Sequence, residues 1–182
     1  MAMTLTLSVD PTPDAPALLL RPWRESDLPT VVAAYQDPAM RRWLSVLVDS
    51  EAEARVWLER QARRWADGSR LGFAIEERGR VVGHFVVKGA DTAAGSQTSV
   101  GYWTLADARG RGIASRCVQR VSDWLFGPQD LVPAEVVELV HSVGNAASCR
   151  VAEKCGYALI ATIPAQPPQF PDEGHRHVRN RP

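Results

Sequence analysis

The chain has 182 residues, 45% of them hydrophobic, which suits one domain with a substantial core. Its 21 Lys and Arg offset 21 Asp and Glu, so no general basic face advertises nucleic-acid binding. No apolar run approaches the roughly 20 residues of a membrane span, and the N-terminus lacks a signal-peptide layout, so the expected compartment is cytoplasmic.

Residues 1–16 read as a flexible segment and 17–182 as a single domain. Residues 17–22 predict a strand and 27–35 a helix. Ser50-Glu-Ala-Glu53 has the spacing of a capping box that opens a helix to about Trp65. Residues 72–76 and 80–88 predict a hairpin around Arg78-Gly79, and 98–105 a further strand. Apolar residues at Ile113, Ala114, Cys117, Val118, Val121, Trp124 and Leu125 keep helical spacing as far as Phe126. An apolar strand over 136–143 follows, then a short helix over 146–154 stopped by Gly156, then a strand over 157–163. Pro164-Ala-Gln-Pro-Pro-Gln-Phe-Pro171 cannot donate regular sheet hydrogen bonds. Only Gly174-His-Arg-His-Val178 remains for a last strand, so either that strand is short or the sheet edge is completed some other way. Exposed strand edges near this tail would suit a homodimer. The pattern is that of an α/β domain without internal repeats.

The chemistry concentrates at Val100-Gly-Tyr-Trp-Thr-Leu105 and the following Ala106-Asp-Ala-Arg109-Gly110-Arg111-Gly112-Ile113-Ala114. A strand that feeds a glycine turn at a helix start gathers unpaired backbone N–H groups at the positive end of the helix dipole. Such a point attracts phosphate, and glycine lets the backbone approach it closely. Arg109, Arg111 and Arg116 add positive charge where a diphosphate would sit. A dinucleotide fingerprint fails because Ser115 stands at its third glycine, and no Gly-Lys-Ser/Thr phosphate loop is present.

The turn Arg109-Gly-Arg-Gly112-Ile-Ala114 resembles the R/Q-x-x-G-x-G/A turn with which GNAT acyltransferases cradle the pyrophosphate of acetyl-coenzyme A. Other blocks extend the resemblance over residues 18 to 163: Leu18-Leu-Leu-Arg21-Pro-Trp with Ser26-Asp27, then Asp37-Pro38, then Val100-Gly-Tyr-Trp103. The last, Gly144-Asn145-Ala-Ala-Ser148-Cys-Arg-Val-Ala-Glu-Lys154-Cys-Gly156-Tyr157, is similar to a segment of the branch that acetylates ribosomal-protein N-termini. The resemblance implies an α/β GNAT fold, with a mixed twisted sheet of about six to seven strands flanked by about four helices. It implies acetyl-CoA as co-substrate, held by Trp103, Thr104, Leu105, Arg109, Gly110, Arg111, Gly112, Ile113, Ala114, Asn145 and Ser148.

The resemblance also suggests Ser148 as the catalytic group, hydrogen bonded to the departing thiolate. The tyrosine that many family members place four residues before the closing glycine is Ala152 here, which raises the standing of Ser148. Capping a helical turn is the competing reading for Ser148, and N-capping is at least as good a reading for Asn145. Backbone donors along 100–105 would hold the thioester oxygen as charge builds. The glutamate that the branch often carries as a base is replaced by Ser99. Glu76, Glu77 and His84 are the substitutes, although the glutamates read as hairpin surface and His84 as a structural histidine. Without a strong base the acceptor must arrive neutral. An α-amine is roughly a tenth neutral at pH 7, a lysine only about once in 2,500.

Tyr35, Trp43 and His84 are the candidate acceptor-pocket residues, with Trp57 and Trp65 of the second helix as further aromatic candidates and Trp43 beside Arg41-Arg42. His175 and His177 could bind a metal or move protons, but paired histidines near a terminus are expected to be solvated. Cys117, Cys149 and Cys155 are odd in number and lack C-x-x-C spacing, so they read as free thiols, and no metal is expected. Three functions stay open: an N-acetyltransferase for a protein N-terminal amine, one for a small amine such as an amino acid or antibiotic, and a non-catalytic acyl-CoA-binding module.

Overall fold

Apolar alternation and glycine turns set most element boundaries. The computed structural model describes residues 5–89 and 98–182. Its strands are β1 (Leu7–Val9), β2 (Leu18–Pro22), β3 (Arg70–Glu77), β4 (Arg80–Lys88), β5 (Thr98–Thr104), β6 (Val136–Ser142), β7 (Ala158–Ile163) and β8 (Gly174–Asn180). Its helices are α1 (Leu28–Tyr35), α2 (Pro38–Trp43), α3 (Glu51–Ala66), α4 (Ile113–Phe126) and α5 (Ala146–Lys154). The strands form one eight-stranded sheet in the order β1-β2-β3-β4-β5-β6-β8-β7. The mixed α/β architecture is as expected, with one strand and one helix more than the expected ranges.

Local chemistry explains the boundaries. Ser50 Oγ accepts from Glu53 N–H at 3.2 Å, while the Glu53 carboxylate reaches back to Asp49 N–H at 2.6 Å. The capping box therefore closes one residue earlier than its usual partner. Asp37 caps α2 through Ala39 N–H at 2.9 Å. The β3–β4 hairpin turns on Arg78 and Gly79, with φ of 50° and 79°, the positive values that suit a two-residue turn between twisted strands.

The structure settles two expectations about the ends, the first as a correction. Within the segment expected to be flexible, Leu7 and Val9 are buried and pair opposite Leu20 and Leu18. Arg116 of α4 donates to Asp10 and Pro16 carbonyls at 2.7 and 2.9 Å, and Arg120 donates to Ser8 C=O at 2.9 Å. Three residues are too few to register as an alternating strand, and a distant helix supplies the anchors. Residues 1–4 of that segment lie outside the described residues. The tail is the second case. β8 is a seven-residue strand inserted between β6 and β7, antiparallel to both. Its most buried position is His177, at 0% exposure, so no apolar residue marked it. The outer edge falls instead to β7, with Leu159 and Ile160 about half exposed.

The main core joins the sheet to α4 and α5, and a second cluster joins α1, α2 and α3 to Trp103. Between sheet and α1 lies Arg21, 4% exposed. It donates to Asp27 at 2.8 and 3.0 Å and to Glu76 at 2.7 Å. Removing one member of a buried ion pair strands the other charge. Arg21→Met is therefore expected to lower unfolding free energy by about 3–5 kcal/mol in urea denaturation, whereas a loss under about 1 kcal/mol would show that water compensates Asp27 and Glu76.

Candidate active site

β5 and β6 are parallel neighbours for three residues only: Thr98, Ser99 and Val100 pair with Val137, Glu138 and Leu139. Beyond Val100 they part, while β4 keeps the opposite edge of β5 paired as far as Thr104. Leu105 N–H donates to Val82 C=O at 2.9 Å. Strand alternation then turns the backbone groups of Trp103 toward β4, and those of Tyr102 and Thr104 toward the gap. A free strand edge is a template for an extended amide chain. The gap opens into a cleft of about 720 Å³. Of the fourteen residues proposed from sequence, all but Leu105 and Arg111 line it.

At one end of the cleft lies the glycine turn. Gly110 and Gly112 have φ of 73° and 74°, a region that L side chains rarely adopt. A Cβ on Gly110 would meet nothing within 4 Å, and one on Gly112 only Ser115 Oγ at 3.9 Å. Packing therefore does not require these glycines; the left-handed backbone does, and it leaves the space beside the turn open. Gly112 caps α4 without any side-chain hydrogen bond, so the first N–H groups of the helix remain available to an anion. These residues fit the diphosphate of coenzyme A. The arginines contribute differently from the expectation. Arg109 lines the cleft while pairing with Asp37. Arg111 pairs with Glu77 at 2.7 Å, and Arg116 is turned to the N-terminal carbonyls. Neither Arg111 nor Arg116 lines the cleft, whereas Arg150 and Lys154 of α5 do.

Ser148 stands in the first turn of α5. Its N–H donates to Asn145 Oδ1 at 3.2 Å, which makes Asn145 the N-cap. Its hydroxyl accepts from Tyr102 O–H at 3.2 Å. Burial pushes the Tyr102 phenol up to about 12, so it stays protonated and keeps donating. Tyr102 is a cleft residue whose contact with Ser148 sequence reasoning missed. The signal was its place between Gly101 and Trp103, pointing to the face opposite Trp103, but only the packing of α5 brings that face to Ser148.

The other wall is aromatic. Trp23, Trp57, His84 and Trp103 crowd together, with ring centroids 5.1–6.0 Å apart, and Tyr35 meets Trp57 and Trp103 edge-on at 6.2 and 6.4 Å. Trp57 reaches the cleft, whereas Trp65 packs on Phe73 in the core. Trp43 lines the cleft and packs on Gly144, where an added Cβ would stand 3.2 Å from its ring, and the Arg42 guanidinium lies over that ring at 4.7 Å from the centroid.

The candidate bases are otherwise engaged. Glu76 bonds Arg21 and Glu77 bonds Arg111, so both are structural ion-pair partners rather than open hairpin surface. His84 accepts from Trp23 Nε1–H at 3.0 Å, and burial lowers its pKa to about 3. It is neutral at physiological pH and too weak a base to draw a proton from an ammonium. His175 and His177 correct a further expectation. Both lie on β8 inside the sheet, His175 half-buried and His177 fully buried, so the pair is not solvated.

Residues 17–158 match the family model described as the acetyltransferase (GNAT) domain. No curated protein sequence matches the chain significantly. Among solved structures, RimL, a ribosomal L7/L12 alpha-N-protein acetyltransferase, superposes with a TM-score of 0.81 at 18% identity, covering 98% of this chain and 95% of its own. Mycobacterium smegmatis RimJ, solved with CoA-disulfide, gives 0.78 at 18% identity, covering 97% and 86%. The microcin C7 self-immunity acetyltransferase MccE, solved with acetyl-CoA and AMP, gives 0.78 at 14% identity, covering 90% and 92%. With the parted strands, the glycine turn and the family match in agreement, the chain belongs to the GNAT acetyltransferases, enzymes that use acetyl-CoA as co-substrate.

Proposed function

We propose that this enzyme acetylates the α-amine at a protein N-terminus, with Ser148 as the catalytic contact to the leaving sulfur. The observation that carries the reading is the hydrogen bond from Tyr102 to Ser148 at the inner end of the gap between β5 and β6. In this reading the diphosphate rests on the α4 N-terminus and the pantetheine amides run along the free edge at Tyr102 and Thr104. The amine nitrogen attacks the thioester carbonyl, the C–N bond forms, the C–S bond breaks, and the amine proton passes to water. Tyr102 donates to Ser148, and Ser148 thereby points its own proton at the sulfur. A thiol loses its proton near pH 8.5, so the departing thiolate needs a hydrogen bond rather than a strong acid.

The acceptor class follows from the state of the three bases expected from sequence. Among the described residues that sequence reasoning offered as bases, the glutamates are ion-paired and His84 is too weak a base to take the amine proton. An acceptor with a low pKa then reacts without help, which favours an α-amine over a lysine side chain. RimL, an α-N-protein acetyltransferase by its description, shares the fold and agrees with this choice. A small amine is the second reading, favoured by Phe170, which reaches the cleft from the proline-rich segment.

Acetylation of an N-terminal peptide is expected to rise about tenfold in kcat/KM per pH unit at low pH and to level off above about pH 8, as the amine itself deprotonates. No second slope near pH 6.5 is expected, because His84 titrates far below that range. Stopped assays of matched peptides, with the α-amine free or blocked beside a lysine, check this. Faster turnover of the lysine-only peptide would overturn the α-amine assignment, better turnover of amino acids or aminated antibiotics would favour the small-amine reading, and slow acetyl-CoA hydrolysis with no responsive amine would favour a binding module.

Ser148→Ala is expected to lower kcat about 100-fold and Tyr102→Phe about tenfold, with KM for acetyl-CoA nearly unchanged. Steady-state kinetics read both. An unchanged kcat in Ser148→Ala would reduce Ser148 to a helix-capping residue.

A further inference from the structure

Four side chains outside the acetyl-transfer reading converge between the sheet and α5: His141 of β6, which also lines the cleft, Cys149 of α5, and His175 and His177 of β8. One ligand atom from each lies within 4.8 Å of all the others. The register explains the convergence. His141 pairs opposite His175 and Leu139 opposite His177, so the three histidines share one face of adjacent strands. α5 packs on β6 and β7, which brings Cys149 onto that face.

Three of the six edges already match a tetrahedral shell, and the rest lie within 4.8 Å. Zinc bonds of about 2.0–2.1 Å to nitrogen and 2.3 Å to sulfur give edges of roughly 3.3 Å between nitrogens and 3.6 Å between nitrogen and sulfur. Here His141 Nε2 lies 3.2 Å from His177 Nε2, and Cys149 Sγ lies 3.3 Å from His175 Nδ1 and 3.6 Å from His177 Nε2.

Tautomers add a second, independent argument. His141 Nδ1 lies 2.8 Å from Ser142 C=O and His177 Nδ1 lies 3.4 Å from Tyr157 C=O. Carbonyls only accept, so each Nδ1 carries its proton. In neutral rings both Nε2 atoms then present lone pairs to each other across 3.2 Å. A cation between them resolves that repulsion, and carbonyl partners on the remote nitrogens are the usual support of metal-bound histidine.

The geometry points to a zinc site formed by His141, Cys149, His175 and His177. Three imidazoles and one thiolate suit a borderline-soft, tetrahedral divalent ion and disfavour magnesium or calcium. With four protein ligands the site is closed and therefore structural. It ties β8 to β6 and draws the first turn of α5, with Ser148 next to Cys149, against the sheet. The inference is independent of which amine is acetylated.

Cobalt is a suitable probe, because its spectrum reports both geometry and thiolate ligation. Tag-free full-length chain, stripped with chelator, would be titrated with cobalt and then with zinc. The expected result is saturation at one equivalent, tetrahedral visible bands with a thiolate-to-cobalt charge-transfer band, and bleaching by zinc. Cys149→Ser is expected to abolish the charge-transfer band and His177→Gln to weaken zinc binding at least tenfold, while Cys155→Ser leaves both intact. His175→Ala, at a half-buried position, covers the case in which the His177 variant fails to fold and is expected to weaken binding likewise. No binding at a hundredfold excess of cobalt, a pale octahedral spectrum, or a charge-transfer band that survives Cys149→Ser would overturn the site.

Discussion

Everything functional in this molecule depends on two parallel strands that stay together for only three residues. β5 and β6 pair from Thr98 to Val100 and then diverge, so a sheet interior acquires a free edge at Tyr102 and Thr104. Leaving those groups unpaired in the middle of a sheet costs free energy unless water or a ligand bonds them. The divergence is tolerated because each strand is secured on its other side. β4 follows β5 as far as Thr104, and β8 follows β6 along its whole length, from Val136 opposite Asn180 to Ser142 opposite Gly174. The insertion of the C-terminal strand between β6 and β7 is thus part of how the cleft stays open.

The elements around the gap divide the chemical work. α4 presents backbone N–H groups at a start without a side-chain cap, which suits a diphosphate, while Arg109 and Arg111 are paired with Asp37 and Glu77 and Arg116 is turned to carbonyls. α5 presents Ser148 at the other end, fixed by the Asn145 cap and by Tyr102. On the acceptor side the cleft offers aromatic surface, and the bases expected from sequence are engaged elsewhere: Glu76 with Arg21 and Glu77 with Arg111. His84 is surrounded by indoles and its burial holds its pKa near 3. Under the α-amine proposal the acceptor brings a low pKa of its own, and substrate choice becomes partly a matter of proton equilibrium rather than shape alone.

Much of this was legible before any coordinates. The glycine turn declared itself because its residues are needed by one local backbone conformation, and the Ser50, Asp37 and Asn145 caps are equally local. What escaped was non-local. Leu7-Ser8-Val9 is too short to read as a strand, and its anchors are arginines more than 100 positions away. β8 carries histidine where a strand usually buries valine or leucine, so its place between β6 and β7 was invisible. Tyr102 meets Ser148 across 46 positions, and the His141, Cys149, His175 and His177 cluster exists only in the register of β6 with β8. In each case two distant segments must be paired before the chemistry appears.

The most direct test of the account is a structure of the enzyme with coenzyme A. The account requires the pantetheine amides to bond the backbone of Tyr102 or Thr104, the diphosphate to sit on the Gly110–Gly112 turn, and the sulfur to lie within hydrogen-bonding distance of Ser148 Oγ. A coenzyme bound outside the gap between β5 and β6, or one with its sulfur remote from Ser148, would contradict it.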